Sequence, residues 1–124
     1  MRKNVMVVDD EPSILFALRK LLELEGYQVT TANSGKECID ALGKGFKGVI
    51  LMDIMMPGMD GWDTVREIVN QGFIDGNIIS MLTARDRPDQ KMEGLQEYVI
   101  DYITKPFDPD DLVNILEEYL TYLE

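Results

Sequence analysis

Apolar and polar positions along the chain alternate between two periods. Short unbroken apolar runs, Val5-Met6-Val7-Val8 and Gly48-Val49-Ile50-Leu51-Met52, read as buried strands. Between them Ile14, Leu15, Leu18, Leu21 and Leu22 recur at helical spacing behind Pro12, which suits a first helical turn, and Gly26 is the stop. Tyr27–Ala32 is a more polar strand, as an edge strand would be. Ser34-Gly35-Lys36-Glu37 has the capping-box pattern and opens a short helix through Leu42. Asp60 caps a helix over Gly61–Asn70, Asn77–Leu82 is a fourth strand, and Asp89–Gln96 a fourth helix. Tyr102–Thr104 is a short fifth strand. Asp108 and Pro109 then open a last helix with Leu112, Ile115, Leu116, Tyr119 and Leu120 on its apolar stripe. Five strands alternating with five helices predict a doubly wound (βα)5 α/β domain. Right-handed crossovers give a five-stranded parallel sheet with helices on both faces.

A chain of 124 residues fits one such domain and can bury a full core. Acidic residues outnumber basic ones 23 to 12, and the net charge of −11 argues against direct binding to nucleic acid or an anionic membrane. No apolar stretch approaches the roughly 20 residues of a membrane span, and no signal-peptide pattern opens the chain. The sole cysteine, Cys38, excludes an internal disulfide and suits a reducing compartment, so a cytoplasmic location is expected. The chain contains no histidine, which removes the usual general base, every Ser-His or Cys-His pair and most zinc sites. Any chemistry must run on carboxylates, hydroxyls, lysine and a hard cation.

Parallel strands bring their carboxyl ends to one edge of a sheet, where ligands of open α/β folds bind. Asp9 and Asp10 follow the first strand, Asp53 the third, Thr83 the fourth and Lys105 the fifth. Two carboxylates about 4 Å apart repel by roughly 4 kcal/mol at an effective dielectric near 20. Lys105 offsets part of that repulsion, and a divalent ion with oxygen ligands would offset the rest; magnesium suits such hard donors better than zinc. With a metal in place Asp53 can attack phosphorus and form an aspartyl phosphate. Thr83 and Lys105 would then meet the phosphoryl oxygens.

The segments Val7-Val8-Asp9-Asp10-Glu11, Leu51-Met52-Asp53-Ile54-Met55-Met56-Pro57-Gly58-Met59-Asp60-Gly61, Leu82-Thr83-Ala84 and Asp101-Tyr102-Ile103-Thr104-Lys105-Pro106-Phe107 together resemble the receiver domain of two-component response regulators. The resemblance spans essentially the whole chain, 1–124, and leaves no output domain within it. It implies a flavodoxin-like three-layer sandwich with strand order 2-1-3-4-5, an order that the spacing alone does not supply. It also implies Asp53 as phosphoacceptor, Asp10 as a direct Mg²⁺ ligand, Asp9 acting mostly through water, and the Met55 backbone carbonyl as a further ligand. Thr83 would be the switch hydroxyl, Tyr102 the aromatic that swings inward, and Lys105 the phosphoryl contact, with a cis peptide before Pro106.

The implied partners are a sensor histidine kinase or phosphotransfer protein as donor, and a downstream protein target or separate output domain. A phosphorylation-dependent homodimer is a further possibility, with the signal carried by the surface of the fourth helix, fifth strand and fifth helix. The implied activity is Mg²⁺-dependent self-phosphorylation with slow autodephosphorylation rather than ordinary enzymatic turnover. Two features depart from the family's usual pattern. Receivers commonly carry a Gly-Ala-Asp-like segment where this chain has Tyr98-Val99-Ile100, so a glycine helix stop is lost and apolar surface is gained. The variable positions near the site are Met55 and Arg85, whose size and charge should influence how fast water reaches the phosphoryl group.

Other readings are weaker. A magnesium-dependent aspartyl phosphatase usually places a second aspartate two residues after its nucleophile, where this chain has Met55. A flavodoxin-like cofactor binder needs phosphate-cradling Ser/Thr/Gly loops after the first strand, where Asp9-Asp10-Glu11-Pro12 stands. A pseudo-receiver used only as an interaction module would not need all five site residues. Residue by residue, Asp10 or Glu11 can serve as a plain helix cap, Thr64 as a turn hydroxyl, Trp62 as packing, and Cys38 as a small core residue.

Overall fold

The computed structural model describes residues 3–84 and 94–123. Its elements run β1 (Asn4–Val8), α1 (Pro12–Leu24), β2 (Gln28–Ala32), α2 (Gly35–Gly43), β3 (Gly48–Asp53), α3 (Gly61–Asn70) and β4 (Asn77–Thr83). A 3-10 turn over Gln96–Tyr98, β5 (Val99–Thr104) and α4 (Pro109–Thr121) complete them. The strands form one sheet in the order β2-β1-β3-β4-β5, all neighbours parallel. The doubly wound order is therefore present, with β2 and β5 at the edges.

The alternation of side chains along each strand divides the core in two. Met6, Val8, Ile50, Met52, Ile79 and Met81 face Cys38, Leu42, Val65 and Ile68 of α2 and α3. Val5, Val7, Val49, Leu51 and Leu82 face Leu18 and Leu22 of α1 and Leu112, Leu116 and Tyr119 of α4. Every residue of β3 is buried, as its two-sided apolar run predicts.

The caps follow the sequence signals. Ser34 Oγ accepts from the Glu37 N–H, Asp60 and Asp63 form a reciprocal capping box, and the Asp108 carboxylate accepts from the Asp110 and Asp111 N–H groups. Glu11 is the N-cap of α1 and makes no side-chain cap bond.

Two expectations about the end of the sheet change. β5 begins at Val99, three residues before the expected Tyr102, because Val99 pairs with Ile79. The helix expected over Asp89–Gln96 lies mostly outside the described residues; Gln96 itself opens the 3-10 turn. Gly94 sits just upstream with a φ of +81°, a left-handed conformation that glycine adopts without steric penalty. Of Tyr98-Val99-Ile100, Val99 is buried and Ile100 is exposed, so only part of the added apolar surface faces solvent.

Candidate functional site

The carboxyl ends of β1 and β3 lie side by side, because Val8 pairs with Met52 and each strand then ends in aspartate. Asp9 and Asp53 are buried while Asp10 is exposed, and one carboxylate oxygen from each of the three lies within 4.8 Å of the others. Lys105, on the residue after β5, reaches across: its Nζ donates to Asp9 Oδ2 at 2.9 Å and lies 3.4 Å from Asp53 Oδ1. One ammonium thus serves two carboxylates, leaving a net negative notch.

Backbone donors hold the acids in place. The Glu11 N–H donates to Asp9 Oδ1 at 3.0 Å, and the Met55 N–H donates to Asp53 Oδ1 at 3.2 Å. The Lys105 N–H donates to the Thr83 carbonyl at 2.7 Å, which ties the end of β5 to the end of β4. Burial, and then the charge of Asp9, push the Asp53 carboxyl up to about 6; Lys105 and the Met55 N–H oppose that rise. Burial works against the charge of Lys105, but its hydrogen bond to Asp9 and the charges of Asp53 and Asp9 hold its pKa above the usual lysine value.

The remaining predicted residues take varied positions. Thr83 is buried at the end of β4, one residue beyond Leu82, the register partner of Asp53. Met55 has an exposed side chain beside the notch. Tyr102 lies on edge strand β5, 41% exposed, with its ring centroid 6.2 Å from that of Trp62. The Lys105–Pro106 peptide is cis. Thr64 is a helical residue of α3 rather than a turn residue, and its hydroxyl donates to the Asp60 carbonyl at 2.8 Å. Cys38 and Trp62 are core residues.

Three hard carboxylate oxygens within one ion's reach, one of them solvent-facing, form a donor set that fits an oxygen-preferring divalent cation. Two features of the site lay outside the sequence reading. Gly61 is required by close approach: a Cβ there would stand 2.5 Å from the Asp53 carbonyl oxygen, and its N–H donates to the Ile54 carbonyl. The packing of Trp62 is specific, setting a buried indole against Tyr102 from the first turn of α3. Gly61 follows a capping aspartate, which was a usable signal; for the Trp62–Tyr102 contact the sequence held none.

Comparison with known proteins converges on one family. The family model described as response regulator receiver domain matches residues 5–117. The chain belongs to the response regulator receiver family. A receiver domain protein (CheY-like) from Methanospirillum hungatei JF-1 superposes with a TM-score of 0.93 at 51% identity, covering 97% of this chain and 95% of that one. The response regulator TrrA of Thermotoga maritima, crystallised in complex with Mg²⁺-BeF, gives a TM-score of 0.80 at 30% identity over 96% of this receiver and 99% of that chain. Among curated proteins, the alkaline phosphatase synthesis transcriptional regulatory protein PhoP of Bacillus subtilis (strain 168) is 38% identical over 112 residues, which is 90% of this chain and 46% of PhoP. The receiver spans about half the length of the curated relatives it matches. Among its described residues no helix is long and apolar enough to cross a membrane.

Proposed function

We propose that this receiver is a phosphoacceptor switch of a two-component phosphorelay, with Asp53 as the acceptor. The observation that carries the reading is the convergence of Asp9, Asp10 and Asp53 within 4.8 Å, with Lys105 bridging two of them. The donor is a phosphohistidine on a sensor histidine kinase or phosphotransfer protein. An Asp53 carboxylate oxygen attacks phosphorus, the phosphorus–nitrogen bond breaks, and the imidazole nitrogen keeps the electron pair.

Asp10, Asp53 and the Met55 carbonyl would hold Mg²⁺, with Asp9 acting through water; the bound ion supplies charge neutralisation and in-line orientation. Asp9 keeps Lys105 aimed into the notch, so its ammonium can follow the developing phosphoryl charge. Thr83 donates its hydroxyl to a phosphoryl oxygen, and the resulting shift at the end of β4 lets Tyr102 turn inward. The altered surface of β5 and α4 then signals to a protein target or to an output domain, with phosphorylation-dependent dimerisation as one form of that signal. The curated relatives are about twice the length of this receiver, so an output domain and a separate protein target are both kept as receivers of the signal, and the setting would be cytoplasmic.

The test is incubation with Mg²⁺ and a small-molecule phosphodonor, followed by intact-mass measurement. A single phosphate adduct is expected, lost with a metal chelator and lost in Asp53→Asn. Undiminished labelling of Asp53→Asn overturns the assignment.

A further inference from the structure

In a regular strand Val99, Asp101 and Ile103 would share one face. Here Val99 packs against the α2–α3 side of the sheet, while Ile103 lies on the α1–α4 side. A β-bulge separates them: Ile79 pairs with Val99, Ser80 pairs with Asp101, and Ile100 is the extra residue. The bulge turns Asp101 toward α4. Its Oδ2 accepts a 2.9 Å hydrogen bond from the hydroxyl of Tyr119, and its Oδ1 accepts a 2.8 Å bond from the backbone N–H of Tyr102.

Ser80 closes the cluster. It is a buried polar residue in an otherwise apolar stretch of β4, with its Oγ 2.9 Å from the Tyr119 hydroxyl. The phenol proton goes to Asp101, so Ser80 supplies the proton of the Ser80–Tyr119 bond. Burial holds the Tyr119 phenol well above its ordinary pKa, so it remains a donor. A single carboxylate therefore grips the backbone of Tyr102 with one oxygen and the helix α4 with the other. Ser80, three residues before Thr83, anchors the same cluster to β4.

We propose that Asp101 is a positioning residue for Tyr102, clamped by Tyr119, through which movement of the Tyr102 ring is passed to α4. This deepens the switch reading and rests on Tyr102 being its moving aromatic. The clamp holds the Tyr102 backbone, while its ring lies at the sheet edge against Trp62. It also couples that pivot to a helix on the opposite face of the sheet from Trp62.

The chain has a single tryptophan, and Trp62 lies against Tyr102, so its fluorescence reports the ring directly. The experiment titrates the full chain with beryllofluoride in Mg²⁺, following Trp62 fluorescence and amide hydrogen exchange in α4. In the wild type both signals change with one half-saturation point. In Asp101→Ala and Tyr119→Phe the fluorescence change persists with its half-saturation shifted at least threefold, and α4 loses at least half of its exchange response. Asp101→Asn restores most of both, because its amide oxygen accepts from the Tyr102 N–H while its NH₂ donates to the phenol oxygen; the phenol proton then turns to Ser80 Oγ, whose own proton goes to the backbone carbonyl of residue 101. Tyr119→Phe keeps the ring in the core and carries the test should Asp101→Ala fail to fold.

Unchanged half-saturation and an intact α4 response in folded variants overturn the clamp, as does Asp101→Asn performing no better than Asp101→Ala. A wild type that takes phosphate on Asp53 but shows no fluorescence change removes the moving-aromatic reading, and the clamp with it.

Discussion

Strands β3 and β5 both contribute to the notch, yet they are built in opposite ways. β3 is buried over all six residues, lies between two parallel neighbours and ends in Asp53. β5 is an edge strand, exposed at Ile100, Asp101, Tyr102 and Thr104, and bulged after Val99. A carboxylate that attacks phosphorus needs a fixed position, because small displacements of a reacting group are costly. A residue that signals needs somewhere to move, and mobile elements come from the less stable end of a fold. In the proposed function, the difference between the strands separates chemistry from readout along a single sheet.

That division is open to attack at both strands. Asp53→Asn, on the rigid strand, abolishes the phosphate adduct while leaving the fold intact by circular dichroism. In chemical denaturation Leu51→Ala, two residues before the acid on the same strand, costs roughly 2–5 kcal/mol because it opens a cavity that the fully packed sheet cannot close. Ile100→Ala at the bulge changes stability by about 0.5 kcal/mol or less, as half-exposed positions do. Comparable losses at the two sites would erase the contrast.

Lys105→Met couples the two strands and has a mixed effect. It leaves Asp9 buried beside Asp53 without the shared ammonium, costing roughly 3 kcal/mol of stability, and slows phosphate uptake roughly 100-fold. Millimolar Mg²⁺ should raise the melting temperature of this variant more than that of the wild type, as read by differential scanning fluorimetry.

The smallest effect concerns Cys38, packed against the inner strands under α2. Burial pushes its thiol up to about 12 from 9.0. The native state therefore holds a proton that the unfolded chain releases. Its contribution to stability is complete below pH 9 and fades as the pH rises through 12. At pH 8 a thiol reagent should label the native protein far more slowly than the unfolded one, with a rate set by opening of the rigid half.

The inner half of the molecule was the more legible in the sequence. Unbroken apolar runs ending in aspartate can be satisfied only by strands covered on both faces, which brings Asp9 and Asp53 to one edge. Pro12, Ser34, Asp60 and Asp108 mark helix starts by local chemistry that tertiary packing leaves alone. The outer half was read less completely. A bulge is invisible to a period-two pattern, so the pattern predicts β5 three residues short and assigns the apolar Val99 no face. Ser80 interrupts an apolar strand, and its reason lies in Tyr119, thirty-nine residues away. Lys105 could be placed at the notch, but its division between Asp9 and Asp53 depends on distances that no spacing encodes.

The placement of chemistry on the rigid strand is tested most directly by trapping the phosphoryl group where it lands. After reaction with a small phosphodonor in Mg²⁺, borohydride converts an aspartyl phosphate to homoserine, and tandem mass spectrometry of the tryptic peptide spanning 48–66 locates it. Homoserine at Asp53 alone is the expected result. Homoserine at Asp60 or Asp63 of the same peptide, or an unmodified peptide from protein that has gained phosphate, would contradict it.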